Sequence, residues 1–366
     1  MMSKHKKNRG IELLRFIATI FVVLGHCGFY TITTSVSSMG CDWTTHIIDN
    51  SIFYKLTKIG TGVIYSCHMQ LFVVISGAVF YICLCAGKYS SLTRLLKNKF
   101  ARLIIPYFLV TALYNIPILW LADYFSADIK NVMLYWSGFG KNHLWFLIAL
   151  FIIFALTYIC KGVLKKKIQN EKYTIALMMI PAIMMYILSD YTSIYITELA
   201  YIDKVAKYWV WFLLGMAFIE FQNYIQWFID SHQIAKIGAI FVIWTVSFIL
   251  VNKEFSALLI IEQISGVLFW YLLCNYLVNQ FPRLSDYKIV KIVNRYSMDI
   301  YLYGVPVNYV IVSLLLRNQN TIYMNNITSM GLFLIRGVLQ IAVGIVLSII
   351  ITKLLSYVTG CKKVKI

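Results

Sequence analysis

The sequence predicts an all-α integral membrane protein of about ten transmembrane helices, and three observations carry that prediction. Hydrophobic residues make up 60% and charged residues 13% of 366 positions, against about 45–50% and about 25% in soluble domains. A soluble globule of this size has too little interior to hide so much apolar surface. Apolar runs recur at the ~20-residue length that a bilayer demands. The 33 Lys and Arg outnumber the 15 Asp and Glu, for a net charge of +18, and they fall almost entirely between those runs.

The runs lie near 11–33, 63–85, 100–121, 142–160, 173–189, 205–221, 237–251, 255–278, 296–316 and 329–352. The first follows Lys4, Lys6, Lys7 and Arg9, as the core of a signal peptide would. Yet it is long enough to span, contains Arg15 and is followed by no small-residue cleavage site, so it reads as a retained helix. The second and third flank the basic stretch Lys88–Arg102, and the fourth and fifth flank Lys161–Lys172. The sixth and seventh flank Lys236, the eighth and ninth enclose Arg283–Arg295, and the tenth leads into a basic tail from Lys353. The 50–60 and 122–141 connections are long enough for short re-entrant or interfacial helices. No loop is long enough for a soluble domain, so residues 1–366 read as a single polytopic domain with no appended soluble one.

Placing both termini in the cytoplasm puts twenty-three basic residues inside and eight outside, with Arg15 and Arg336 intramembrane. That asymmetry is the positive-inside pattern. It describes a multi-pass protein of a cell membrane of bacterial type and removes nucleic acid as the explanation of the +18. The cysteines form no metal-binding pattern: there is no CxxC pair and no Cys/His cluster, so no metal site is expected. Cys27, Cys83, Cys85, Cys160 and Cys274 lie in apolar stretches and read as packing residues. A Cys41–Cys67 disulfide outside the membrane is a further possibility.

Ionisable residues within a span cost about 2.5–3.5 kcal/mol on insertion scales, so each is a candidate functional group. Arg15 and His26 are eleven steps apart, which at about 100° per step returns to one helix face, about 16 Å further along the axis. His68 and His143 fall near the outer ends of spans two and four. Glu262 and Arg336 lie within spans eight and ten, and Asn115 and Asn308 in the outer halves of spans three and nine. These groups share roughly the depth of His26, where convergence on one cavity would let them satisfy one another. A purely structural polar network is the plain alternative. Histidine is the commonest general base, and a carboxylate beside it orients the ring and stabilises its cation. Glu262 is the candidate for that role, with pairing to Arg336 equally open.

Several segments resemble the membrane acyltransferase-3 family. Glu12-Leu-Leu-Arg15-Phe-Ile-Ala followed by His26 is similar to the family's opening, a basic residue and a histidine with ten residues between them. His68-Met-Gln-Leu-Phe72 with Ser76-Gly77 resembles its second helix. Lys99-x-x-Arg102-x-x-x-Pro106-Tyr107, His143-Leu-Trp145-Phe146-Leu147 and Asp299-Ile-Tyr301-Leu302-Tyr303-Gly304-x-Pro306 follow in the family's order. Where Gly304 stands, many members have histidine. The flavour around His68 and His143 is similar to the branch that O-acetylates sugars and exopolysaccharides.

The resemblance implies an integral membrane O-acyltransferase. It would carry an acyl group, acetyl by expectation, from cytoplasmic acyl-CoA to a hydroxyl of a cell-surface or lipid-linked carbohydrate. Acyl-CoA is then a substrate, with no resident cofactor, and membrane lipid is the remaining partner. His26 and Glu262 are the expected catalytic pair. Arg15, Lys97, Lys99 and Arg102 would seat the phosphates, with Ser76 on the path of the donor's arm. His68, His143, Trp145, Asn115, Asn308 and Arg336 would bind the acceptor or support the site. The competing class is a proton-coupled transporter of a sugar or anion, which buried His, Glu and Arg also suit. The charge asymmetry makes one prediction on its own. In intact cells a membrane-impermeant thiol reagent should label a cysteine put at Lys130 and spare one put at Lys4. The reverse labelling would invert the topology.

Overall fold

The computed structural model describes residues 9–28, 47–122, 129–138, 142–195, 201–225, 232–253, 255–316 and 321–359. Lys4, Cys41, Lys141 and Arg317 lie outside them. The helices are α1 (Arg9–Cys27), α2 (Ile52–Tyr65), α3 (His68–Cys85), α4 (Leu92–Lys99), α5 (Ile105–Val110), α6 (Ile116–Leu121), α7 (Ile129–Ser137) and α8 (Trp145–Lys165). They continue with α9 (Glu171–Tyr195), α10 (Ile202–Glu220), α11 (Gln233–Val251), α12 (Leu259–Gln280), α13 (Lys288–Arg295), α14 (Ser297–Leu316) and α15 (Asn326–Thr359). A short parallel pair, β1 (Ile47–Asp49) with β2 (Ile322–Met324), is a local addition to an otherwise helical protein.

Among the described residues, nine segments are long and apolar enough to cross a membrane. The tenth expected span is α10, which carries Asp203, Lys204, Lys207 and Glu220 near its two ends and so falls outside that composition. It is nonetheless an interior helix. It buries Trp209, Trp211, Phe212, Leu213 and Met216 and packs on α3, α8 and α9. Charges at the ends and aromatic bulk in the middle suit a helix enclosed by protein rather than by lipid.

The expected second span, 63–85, is broken. Tyr65 ends α2 and His68 begins α3, with Cys67 between them off helical geometry at φ −142°, ψ −14°. The break is held by side chains. The Ser66 hydroxyl donates to the Val63 carbonyl at 2.7 Å and accepts from Trp244 Nε1 of α11 at 3.1 Å. Cys67 is a free, buried thiol. The connections expected to hold short helices do so as α2 and α7. Ser51 caps α2, its Oγ accepting the Tyr54 N–H, and Phe53 N–H donates to Asn326 Oδ1 at the start of α15.

Residues 92–121 form one continuous helical stretch with two widened turns. Ile105 N–H reaches back five residues to the Phe100 carbonyl, and Ile116 N–H to that of Thr111. Each widened turn is followed at once by proline, Pro106 or Pro117. A proline ring inside a helix lacks the N–H and crowds the carbonyl four residues back. Widening the preceding turn relieves that crowding, and such bulges often mark functional sites. The second one ends at Asn115.

Glycine sets the closest approach in the bundle. A methyl group on Gly77 of α3 would overlap the Phe212 carbonyl oxygen of α10, and one on Gly215 would overlap the Val74 carbonyl oxygen. Backbone atoms cannot swing aside as side chains do, and overpacking of this kind costs about 1–3 kcal/mol. Gly77→Ala and Gly215→Ala should therefore each lower the melting temperature of the detergent-purified protein by several degrees. Gly162→Ala, in α8 where the added methyl meets nothing, should leave it unchanged or raise it slightly. Equal melting of all three variants would disprove the close crossing.

Candidate active site

The site is built around the last turn of α1. The final carbonyls of a helix have no intrahelical partners, and inside a membrane no water replaces them. Here α15 supplies the donors. Arg336, wholly buried, donates from Nε to Asn308 Oδ1 of α14 at 2.8 Å and from Nη2 to the His26 carbonyl at 2.9 Å. One turn on, Gln340 Nε2 donates to the Val23 carbonyl at 3.2 Å and approaches Cys27 Sγ at 3.1 Å and Asn308 Oδ1 at 3.5 Å. Three helices are thereby tied at the level of His26.

The His26 ring is fixed from within its own helix. Its Nδ1 lies 2.6 Å from the Val22 carbonyl oxygen. A carbonyl only accepts, so Nδ1 carries the hydrogen and Nε2 carries the lone pair. His68 and His143 are both within electrostatic reach of His26. His68 starts α3 immediately after the break, with Nδ1 at 3.1 Å from the Ile64 carbonyl and its ring edge-on to Tyr65. His143 Nδ1 faces the Tyr135 hydroxyl of α7 at 3.4 Å, and its backbone carbonyl accepts the Tyr301 hydroxyl of α14. Three histidines from three separate stretches of chain therefore gather around one layer.

Several amide groups in this layer are buried without protein partners. Asn115 is fully buried, and neither its oxygen nor its nitrogen has a hydrogen-bond partner among the described residues. The same holds for Asn308 Nδ2 and Gln70 Oε1. Asn115 is brought to the level of α14 by its neighbour, since the Tyr114 hydroxyl donates to the Tyr303 carbonyl at 2.9 Å. Buried polar atoms left unpaired cost about 1–3 kcal/mol each, so such a concentration marks a place where a polar molecule belongs.

Glu262 does not take the role expected of it. The position next to His26 Nδ1 is filled by the Val22 carbonyl, and Arg336 is committed to Asn308 and His26. Buried on α12, Glu262 faces the Ser66 hydroxyl at the α2–α3 break. It thus supports the turn from which His68 projects.

The remaining expected residues sit apart from this layer. Arg15 lies about 16 Å along α1 from His26, one turn from its electrostatic neighbour Glu12. Lys97 and Arg102 are exposed, whereas Lys99 Nζ is seated 3.5 Å from the centre of the Phe154 ring and 5.6 Å from that of Tyr89. The charged neighbours of Lys99 are Arg102 and Lys88, so this basic group and Arg15 are two separate clusters. Ser76 is about two turns beyond His68, with its hydroxyl donating to the Phe72 carbonyl at 2.9 Å. Trp145 is tilted against the Tyr208 ring, 5.3 Å between centroids.

A model of an acyltransferase domain matches residues 8–357, nearly the whole chain and every residue of this layer. The chain belongs to the acyltransferase-3 family. It is a membrane O-acyltransferase, which decides for catalysis over transport. No curated protein and no solved structure matches it. Against the family's frequent histidine, Gly304 has a local explanation in this acyltransferase. An added Cβ there would stand 3.0 Å from the Gln340 carbonyl oxygen, and Gly344 packs as tightly on Ile300. A side chain there would press on the α14–α15 seam that holds Arg336 against Asn308.

Sequence reasoning missed Asn142, Gln340 and Tyr135, and gave Tyr301 no role beyond its place in a motif. Asn142 is a buried hub: its amide nitrogen donates to Thr111 Oγ1 at 3.2 Å and approaches the Tyr135 carbonyl, while its oxygen accepts the Leu144 N–H. Tyr201 completes that hub by accepting the Asn142 N–H at 3.4 Å; burial pushes its phenol up to about 12, so it stays protonated at neutral pH. The available signal was spacing, since Gln340 follows Arg336 by four residues and shares its face. Asn142 gave none, because a polar residue at a span boundary reads as loop. Replacing Arg336 with leucine removes donors from two buried acceptors, at about 1–3 kcal/mol each. Arg336→Leu should lower both melting temperature and transfer activity, with Gln340→Leu a milder version of the same loss. An Arg336→Leu protein as heat-stable as the parent would show that the clasp does not hold α1.

Proposed function

We propose that this O-acyltransferase moves an acyl group, acetyl in the simplest case, from cytoplasmic acyl-CoA to a hydroxyl of a cell-surface or lipid-linked carbohydrate, with His26 as general base. The protein would reside in a cell membrane of bacterial type with both termini in the cytoplasm. The observation that carries the reading is the 2.6 Å contact of His26 Nδ1 with the Val22 carbonyl. It leaves Nε2 to carry the lone pair, in a layer with several unpaired amide atoms.

A sugar hydroxyl is barely ionised at neutral pH, so its proton must leave as the carbon–oxygen bond forms. Nε2 takes that proton while the oxygen attacks the thioester carbonyl, work that typically contributes ~10²–10⁴-fold in rate. Negative charge then develops on the carbonyl oxygen, where the Asn308 and Asn115 amide nitrogens are donors without other commitments. Collapse of the tetrahedral intermediate breaks the carbon–sulfur bond, and the imidazolium returns the proton to the departing thiolate. The proton count closes within one histidine. Ser76 spends its hydroxyl on the Phe72 carbonyl, which favours direct transfer over an acyl-serine.

The donor's polyanionic end belongs at the basic side of the bundle. Arg15, Lys97, Lys99 and Arg102 are its proposed phosphate contacts, and the long pantetheine arm suits the climb of about 16 Å along α1. His68 and His143 are the proposed grips on the acceptor, flanking His26 from two sides. Trp145 and Tyr208 would shape the wall near His143, and Glu262 would act through Ser66 by holding the chain break at His68.

The test is transfer of labelled acetyl groups by purified protein to candidate glycans. His26→Gln and His26→Ala, at parental protein levels, should lose ~10²–10⁴-fold in turnover at saturating donor and acceptor. Near-parental turnover in either variant would remove His26 as the base.

A further inference from the structure

At the basic end of the bundle, α13 lies against the later half of α15 and leaves a cavity of about 550 Å³ between them. One wall is cationic. Lys288, Lys291 and Arg295 follow one another at three and four residues, which puts all three on one face of α13. The opposite face, Val290 and Val293, is buried in the protein. The other wall is apolar and comes from a membrane-spanning helix: Ile345 and Ile349 line the cavity, one turn apart. Beside them Val346 and Ile350 are exposed on the outer surface of α15. Tyr296 closes the end of the cavity, with the Arg295 guanidinium 5.4 Å from its ring.

The charges do not cancel. Asp286, also in the lining, pairs with Lys291 at 3.0 Å and with Arg9 at 3.8 Å. That pairing fixes the position of Lys291. Lys288 and Arg295 have no carboxylate partner among the described residues, so the lining keeps a surplus of positive charge. Nothing in acyl transfer at His26 uses these groups.

We propose that this cavity is a binding site for an anionic phospholipid. The phosphate sits on Lys288, Lys291 and Arg295, and one acyl chain runs down Ile345 and Ile349 into the bilayer. Two features select a lipid over a soluble phosphate compound. The apolar wall continues onto the outward, exposed face of α15, where a hydrocarbon chain already lies in a membrane. The cations stand on an exposed helix face at the level of lipid headgroups, where basic pockets recruit anionic lipid. The bound lipid would pin α13 to α15. That contact bears directly on α15, the helix that carries Arg336.

The experiment uses the full chain in detergent and reads melting temperature and bound lipid by native mass spectrometry. Phosphatidylglycerol should raise the melting temperature and remain bound, whereas phosphatidylcholine should do neither. Lys288→Gln/Arg295→Gln should weaken phosphatidylglycerol binding at least tenfold, and Lys288→Arg/Arg295→Lys, which keeps the charge, should retain it. Ile349→Glu, which leaves all three cations in place, should also lose the lipid. Equal binding of the two lipids, or unchanged binding by the glutamine and glutamate variants, would overturn the proposal. So would displacement of phosphatidylglycerol by coenzyme A or inorganic phosphate at micromolar concentration, which would assign the cavity to a soluble anion. No readout depends on turnover, so the lipid site and the role of His26 stand or fall separately.

Discussion

Arg336 is a fully buried cation on a membrane-spanning helix, and its guanidinium joins the end of α1 to α14. Without water in the bilayer core, both the guanidinium and the carbonyls at the end of α1 need protein partners, and each satisfies the other's need. The geometry of the layer follows from that exchange. The His26 backbone is held at a fixed height, its ring is locked by the Val22 carbonyl one turn below, and Asn308 is turned so that its oxygen faces Arg336 and its nitrogen faces away. Gly304 and Gly344 let α14 and α15 approach closely enough for these bonds to form. Removing side chains at one seam thus fixes polar geometry at another.

The bundle pairs satisfied and unsatisfied polar groups in a way that separates support from function. Arg336, Gln340 and Asn142 are almost fully committed to other protein atoms, and they fix helix ends and chain breaks. Asn115 and the Asn308 nitrogen are equally buried but uncommitted among the described residues. In a membrane interior an unpaired polar atom is costly, so a polar molecule entering this layer would find ready partners. The widened helical turn ending at Asn115 belongs to the same economy, because it rotates the amide relative to a regular helix and is enforced by the proline two residues later.

The basic residues divide into groups with different physical roles. Lys161 and Lys165 share Glu171 in ion pairs at 2.8 and 3.2 Å, an ordinary link between consecutive helices. Lys99 rests on aromatic faces, where a cation is stabilised without a carboxylate and its aliphatic stem is buried. Arg102 and Lys97 stay exposed, and the face of α13 keeps an uncompensated positive charge. One count of +18 therefore covers topology, packing and anion-facing surfaces, which composition alone cannot separate.

The sequence by itself determined the fold class, the approximate spans and the family, because each rests on local or near-local signals. Span length is counted along the chain, charge asymmetry is read loop by loop, and the Arg15–His26 spacing lies within one helix. It also put His26, His68, His143, Asn115, Asn308 and Arg336 at a common depth, since depth follows from distance to the nearest span end. Rotation about each helix axis was decided only by tertiary packing. A shift of one residue turns a side chain by about 100°, so depth alone could not tell that Glu262 faces Ser66 while Val22 serves His26. The break at Ser66 and Cys67 was likewise invisible, because it depends on Trp244, far along the chain, donating to a hydroxyl that would otherwise stay within its helix. Which buried amides are left unpaired is a property of contacts between α6, α8, α14 and α15, and a single sequence carries no record of those contacts.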